Sequence, residues 1–154
     1  MRYWLIKSEP DVFSIDHLQK AKREPWSGVR NYQARNYMRD DMKPGDLALF
    51  YHSSTVPPGV AGVAKVAGEP YPDPTQFDAK SEYHDPKSTK ENPRWMLVDF
   101  DFVTKFPELV TLQQLKEDAA LEGMVVLQKG TRLSITPVET KHFKHVCKLA
   151  GWKP

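Results

Sequence analysis

The chain of 154 residues has a single cysteine, Cys147. No intramolecular disulfide can staple it, and a cysteine-built zinc site is excluded. That usage fits a reducing interior, and a bacterial cytoplasm is the expected compartment. Long apolar runs are also missing. The opening MRYWLIKSEP reaches a charge after four apolar residues, and no later stretch approaches the roughly 18 apolar residues that a membrane span needs. Neither a signal peptide nor a membrane anchor is expected. The chain lacks GxxxxGK[ST] and lacks GxGxxG after a strand, which removes support for a nucleotide cofactor. His17, His52, His84, His142 and His145 show no paired metal-ligand spacing. The nearest case, His142 and His145, fits one face of a helix, so neither metal nor cofactor is expected.

What is present is a balanced globular composition, 40% hydrophobic and 27% charged. It suffices for one buried core, with residues 1–154 forming a single domain. The net charge of +2 is unevenly divided: residues 1–53 sum to +2, residues 54–126 to −5, and residues 127–154 to +5. If the two termini meet in space, they make one basic face of the kind that suits a nucleic-acid partner. An ordinary solvated surface gives the same count.

Arg2–Lys7 is short, aromatic and β-branched, and Glu9-Pro10 closes it as a first strand. Ser14 can cap a helix running to about Arg23, with Ile15, Leu18 and Ala21 on one stripe and Pro25 marking its end. Asn31 is a second N-cap, for a helix over Tyr32–Arg39. The turn Lys43-Pro44-Gly45-Asp46 leads into strands at Leu47–Ser53 and Val60–Ala67. Glu69–Arg94 reads as a long surface loop with at most a short helical turn. Trp95–Val103 alternates, with Met96, Val98, Phe100 and Phe102 on one face of a half-buried strand. Thr111-Leu-Gln-Gln114 has capping-box form, and Thr136-Pro137-Val138-Glu139 is read as opening the last helix, with Gly151 ending it. Val125–Leu127 and Leu133–Ile135 can complete the sheet. The order describes an α+β protein: a mixed, mostly antiparallel sheet or small barrel with helices packed outside.

Four segments hold more polar and aromatic detail than packing needs: Lys7-Ser8-Glu9-Pro10, Trp26 to Tyr37, Phe50-Tyr51-His52-Ser53, and Arg132-Leu133-Ser134-Ile135-Thr136-Pro137. Each ends an element or forms a turn, where sites are usually built. In order, they resemble the EVE domain family, whose members look like WLxKSEP, WxGVRNYxARN, FYHS and RLS-x-x-P. The match spans nearly the whole chain. The resemblance implies a PUA-like β-barrel fold and a non-catalytic reader of a modified base, in DNA or RNA.

Such a reader needs the nucleotide out of its stack, aromatic faces around it, and donors and acceptors along the base edge. Trp26 and Tyr51 can supply the faces. Ser8, Asn31, Ser53 and Ser134 can pair with the base edge, while Arg30, Arg35 and Arg132 suit phosphate. Lys7, Tyr32, His52 and Leu133 complete the candidate ligand-binding set. Blander roles stand beside these: Asn31 as a helix cap, Trp26 and Tyr51 as core, and Glu9 as an ion-pair partner for Lys7 or Arg30. Lys141, Lys144 and Lys148 form one basic stripe on the last helix.

Two other classes remain open. His52 and Ser53 suggest a metal- and cofactor-independent hydrolase or nuclease, although neighbours on a strand point to opposite faces. A protein-interaction module docking through residues 73–93 is the other.

Overall fold

The computed structural model describes residues 1–130 and 132–154. Six strands make one curled sheet, a half-barrel, in the order β2-β7-β4-β3-β1-β8. They are β1 (Tyr3–Ser8), β2 (Arg23–Pro25), β3 (Leu47–His52), β4 (Gly59–Val66), β7 (Asp99–Thr111) and β8 (Ile135–Val138). Only β1 and β3 run parallel; the other pairs are antiparallel. A two-stranded ribbon of β5 (Tyr71–Pro72) and β6 (Met96–Leu97) stands apart.

Both faces of the sheet are covered, which is why β1 and β3 read as unbroken apolar runs rather than alternating ones. On one face Trp4, Ile6, Phe50 and Phe100 pack beneath α1 (Ile15–Ala21) and α2 (Tyr32–Asn36). On the other, Leu5, Leu49, Tyr51 and Val63 pack with Leu115 of α3 (Leu112–Glu117) and Phe143 of α4 (Thr140–Leu149). Gly62 lets these layers close. A Cβ there would strike the Thr104 carbonyl oxygen and the Ile15 side chain, so β4 meets β7 and α1 where a side chain has no room.

The caps are where the sequence places them. The Ser14 hydroxyl accepts from the His17 N–H, Asn31 accepts from the Ala34 N–H, and Thr111 forms a reciprocal box with Gln114. Several boundaries are corrected. α1 ends at Ala21, and Arg23–Pro25 forms an edge strand, held to β7 by an Arg23–Asp101 ion pair at 2.6 Å. Proline suits such an edge because it has no N–H to donate. α2 stops at Asn36 and widens into a π-turn over Tyr37–Asp41. Thr136 and Pro137 lie in β8, again at a sheet edge; α4 begins only at Thr140, with no side-chain cap. Val125–Leu127 is a 3-10 turn, not a strand. The strand expected over Trp95–Val103 is split: Met96–Leu97 pairs with β5, while β7 starts at Asp99 and runs past Val103 to Thr111, with a bulge over residues 106–109 between Lys105, paired with Gly62, and Val110, paired with Val60.

Residues 73–94 form a long loop with its ends clasped together. The Asp73 N–H donates to the Trp95 carbonyl at 3.0 Å. The buried Gln76 amide donates to the Asp73 and Trp95 carbonyls and accepts from the Arg94 and Trp95 N–H groups.

Candidate nucleic-acid interface

The parallel pair β1 and β3 ends at Ser8 and His52. Beyond it the Lys7 N–H donates to the Ser134 carbonyl at 2.8 Å, and the Ser53 N–H to the Ser8 carbonyl at 3.0 Å. Three of the four sequence segments therefore converge at one end of the sheet. Beside them opens a cleft of about 600 Å³, lined by Lys7, Ser8, Glu9, Val12, Phe13, residues 24–30, Tyr83 and Ser134. That volume lies within the usual range for small-ligand sites.

Of the sequence candidates, Lys7, Ser8, Trp26, Arg30 and Ser134 line this cleft. Lys7 is half-buried, and burial lowers the pKa of its ammonium. It belongs to none of the ion pairs found among the described residues, so an anion arriving there would offset its desolvation. The Ser8 hydroxyl donates to the Phe13 carbonyl at 2.5 Å and so shapes the turn at the cleft's edge. Trp26 is only 9% exposed. Phe13, Phe50 and Phe100 meet it edge-on, with centroids at 6.1, 5.7 and 5.4 Å.

Arg30 is bound inward. Its guanidinium pairs with Asp73 at 3.1 Å and donates twice to the Tyr83 carbonyl, at 2.7 and 3.1 Å, and once to the Thr75 hydroxyl. The Asp73 side chain is 1% exposed. Burial alone would push its carboxyl up. Hydrogen bonds from the Thr75 hydroxyl, the Gly28 and Thr75 N–H groups and Arg30 together hold it below the ordinary carboxylate value. The expected pairing of Glu9 with Lys7 or Arg30 is thus replaced by Arg30–Asp73. Glu9 acts through its carbonyl, which accepts from the Val12 and Phe13 N–H groups.

The remaining candidates lie beyond the cleft's lining. Asn31 caps α2. Tyr32 stacks on Trp95 at 4.8 Å, and Arg35 lies over Tyr32 at 4.7 Å while donating to the Arg94 carbonyl and the Asn36 side chain. Arg94 donates to the Tyr32 hydroxyl. Tyr51 is packed in the opposite core, 4% exposed. The His52 Nε2 accepts the Ile15 N–H at 3.1 Å, so that nitrogen carries no proton; burial keeps the imidazole's pKa below its usual 6.5. Ser53 contributes its backbone, Leu133 is partly buried, and Arg132 is exposed beside Ser134.

Sequence reasoning missed Glu24, Val12, Phe13 and Tyr83 in the lining. Burial, then the neighbouring Asp99 charge, raise the Glu24 carboxyl above its ordinary range. No group of three or more His, Cys, Asp or Glu suited to a metal ion occurs among the described residues.

Comparison with known proteins follows the same outline. The chain matches the family described as EVE domain over residues 2–149. Thymocyte nuclear protein 1 of Gallus gallus is 39% identical over 171 aligned residues, covering 99% of this chain and 70% of the relative. A hypothetical protein from Leishmania major has a TM-score of 0.93 at 47% identity, covering 98% of this chain and 95% of its own. The human THYN1 protein, solved in complex with 5-methylcytosine-containing DNA, has a TM-score of 0.91 at 39% identity and covers both chains completely.

Proposed function

The chain belongs to the EVE domain family, and from that premise we propose that it is a non-catalytic module that binds DNA and takes one modified base, a methylated or hydroxymethylated cytosine, into its cleft. The observation that carries this reading is the cleft itself. It opens where the sequence segments converge, is about 600 Å³, and sets a half-buried Lys7 ammonium, without an ion pair among the described residues, beside hydroxyls, carboxyls and apolar side chains. The human relative bound to methylcytosine DNA, alike over the whole of its solved chain, supports the choice of DNA. Carboxyl oxygens at Glu9 and Glu24 suit the exocyclic amine of cytosine. The engagement of His52 with Ile15 leaves its Nε2 no lone pair to activate a nucleophile, which weighs against the hydrolase reading.

The test is equilibrium binding of one oligonucleotide, in DNA and RNA forms, carrying cytosine, methylcytosine, hydroxymethylcytosine or methyladenine at two salt concentrations. Burying one methyl group contributes about 0.8 kcal/mol. Methylcytosine DNA should therefore bind about fourfold tighter than plain DNA, and the ratio should survive added salt, which screens phosphate contacts alone. Equal binding of all forms rejects the reading.

A further inference from the structure

Stacking on an aromatic face is worth about 1–3 kcal/mol per base, and the two sequence candidates for that face, Trp26 and Tyr51, are both buried. Trp26 is 9% exposed and meets three rings at near-right angles, Tyr51 belongs to the opposite core, and Tyr32, stacked on Trp95, stands outside the cleft's lining. Phe13, the other ring in the lining, stacks on His17 with centroids 5.7 Å apart. Tyr83, carried in by the clasped loop, lines the cleft and is 38% exposed.

We propose that Tyr83 is the stacking platform of the cleft and sets affinity for the extruded base, an inference that rests on the base-binding function above. Three observations support it. The Arg30 guanidinium lies over the ring at 5.5 Å and also grips the Tyr83 carbonyl, so one group holds both ring and backbone. Asp73 anchors that guanidinium at its other end, so the ring is positioned before any ligand arrives. A pre-positioned face loses less side-chain freedom on binding than a free one.

The third observation is Gly28. Its φ is +83°, and a Cβ there would lie 2.8 Å from two carbons of the Tyr83 ring. The Tyr83 ring thus packs directly against the Gly28 backbone, where a side chain has no room.

The experiment compares Tyr83→Ala, Tyr83→Phe and Tyr83→Leu with the wild-type chain, binding methylcytosine DNA and plain DNA. Loss of stacking should weaken the methylcytosine complex about 5- to 150-fold in the alanine variant. Phenylalanine, which keeps the ring, should bind within about twofold of wild type. Leucine fills space without a π-face and should resemble alanine. The Trp95 indole donates to Asp85 of the same loop at 2.7 Å, so an unshifted Trp95 indole NMR signal shows that the loop is intact in each variant. Wild-type affinity in the alanine or leucine variant overturns the proposal. A loss in the phenylalanine variant equal to that in alanine also overturns it, because the hydroxyl and not the face would then be at work, and so does a displaced Trp95 signal accompanying the loss. A wild-type chain that binds methylated and plain DNA alike instead removes the base-reading function, and the platform with it.

Discussion

The region around the clasped loop and the mouth of the cleft carry similar cations in different states. In the first, Arg30, Arg35 and Arg94 are bound to the protein itself, through Asp73, Asp85, backbone carbonyls and the faces of Tyr32, Tyr83 and Trp95. At the mouth, Lys7 is without an ion pair among the described residues, and two residues before Ser134 of the lining Arg132 is exposed. A guanidinium that forks onto carboxylate and carbonyl oxygens is framework, while an uncommitted cation is available to a phosphate. Counting basic residues therefore misplaces the electrostatic footprint unless their partners are known.

The sharpest way to break this contrast is to remove the carboxylate that holds the framework. Asp73→Ala leaves Arg30 without its partner and three donors unmet, and should lower stability by about 3 kcal/mol in urea unfolding. A loss below about 1 kcal/mol would make the arginine lattice ornamental. A smaller effect is expected from the imidazole at the end of β3. Burial holds the His52 pKa below its unfolded 6.5, so its cap on Ile15 is fully present above that value and fades as pH falls through the folded one. Wild type should lose stability on acidification below about pH 6.5, and His52→Gln should show a flatter profile in thermal melts over that window. The smallest effect is at the mouth: Arg132→Ala should reduce the slope of log affinity against log salt by about 0.9, while Arg35→Ala should leave that slope unchanged. Equal slopes in the two variants would erase the distinction.

Much of the frame was legible in the chain. The caps at Ser14, Asn31 and Thr111, the apolar runs of β1, β3 and β4, and the mixed, mostly antiparallel sheet with outer helices follow from local chemistry. The edge strands at Arg23–Pro25 and Ile135–Val138 were not, because a proline that suits a helix start equally suits a strand with one unpaired side. The far half of β7 was hidden by Lys105, Pro107 and Glu108, which lie at or beside a bulge. At the site, the convergence of the segments around Lys7, Ser53 and Ser134 came from strand pairing, yet the assignment of faces did not. Trp26 and Tyr51 are aromatic in sequence but enclosed in space, and Tyr83 reaches the cleft from a stretch without periodicity. Only tertiary closure reveals which rings keep an open side.

The clasp at the base of the 73–94 loop separates two kinds of change. Asp73, Gln76 and Trp95 tie the loop's ends to one another, so residues between Asp78 and Asn92 can be lengthened, shortened or exchanged while the six-stranded sheet keeps its register. The chain thus carries its adjustable part as a cassette on a fixed chassis, one that can be exchanged without redesigning the core.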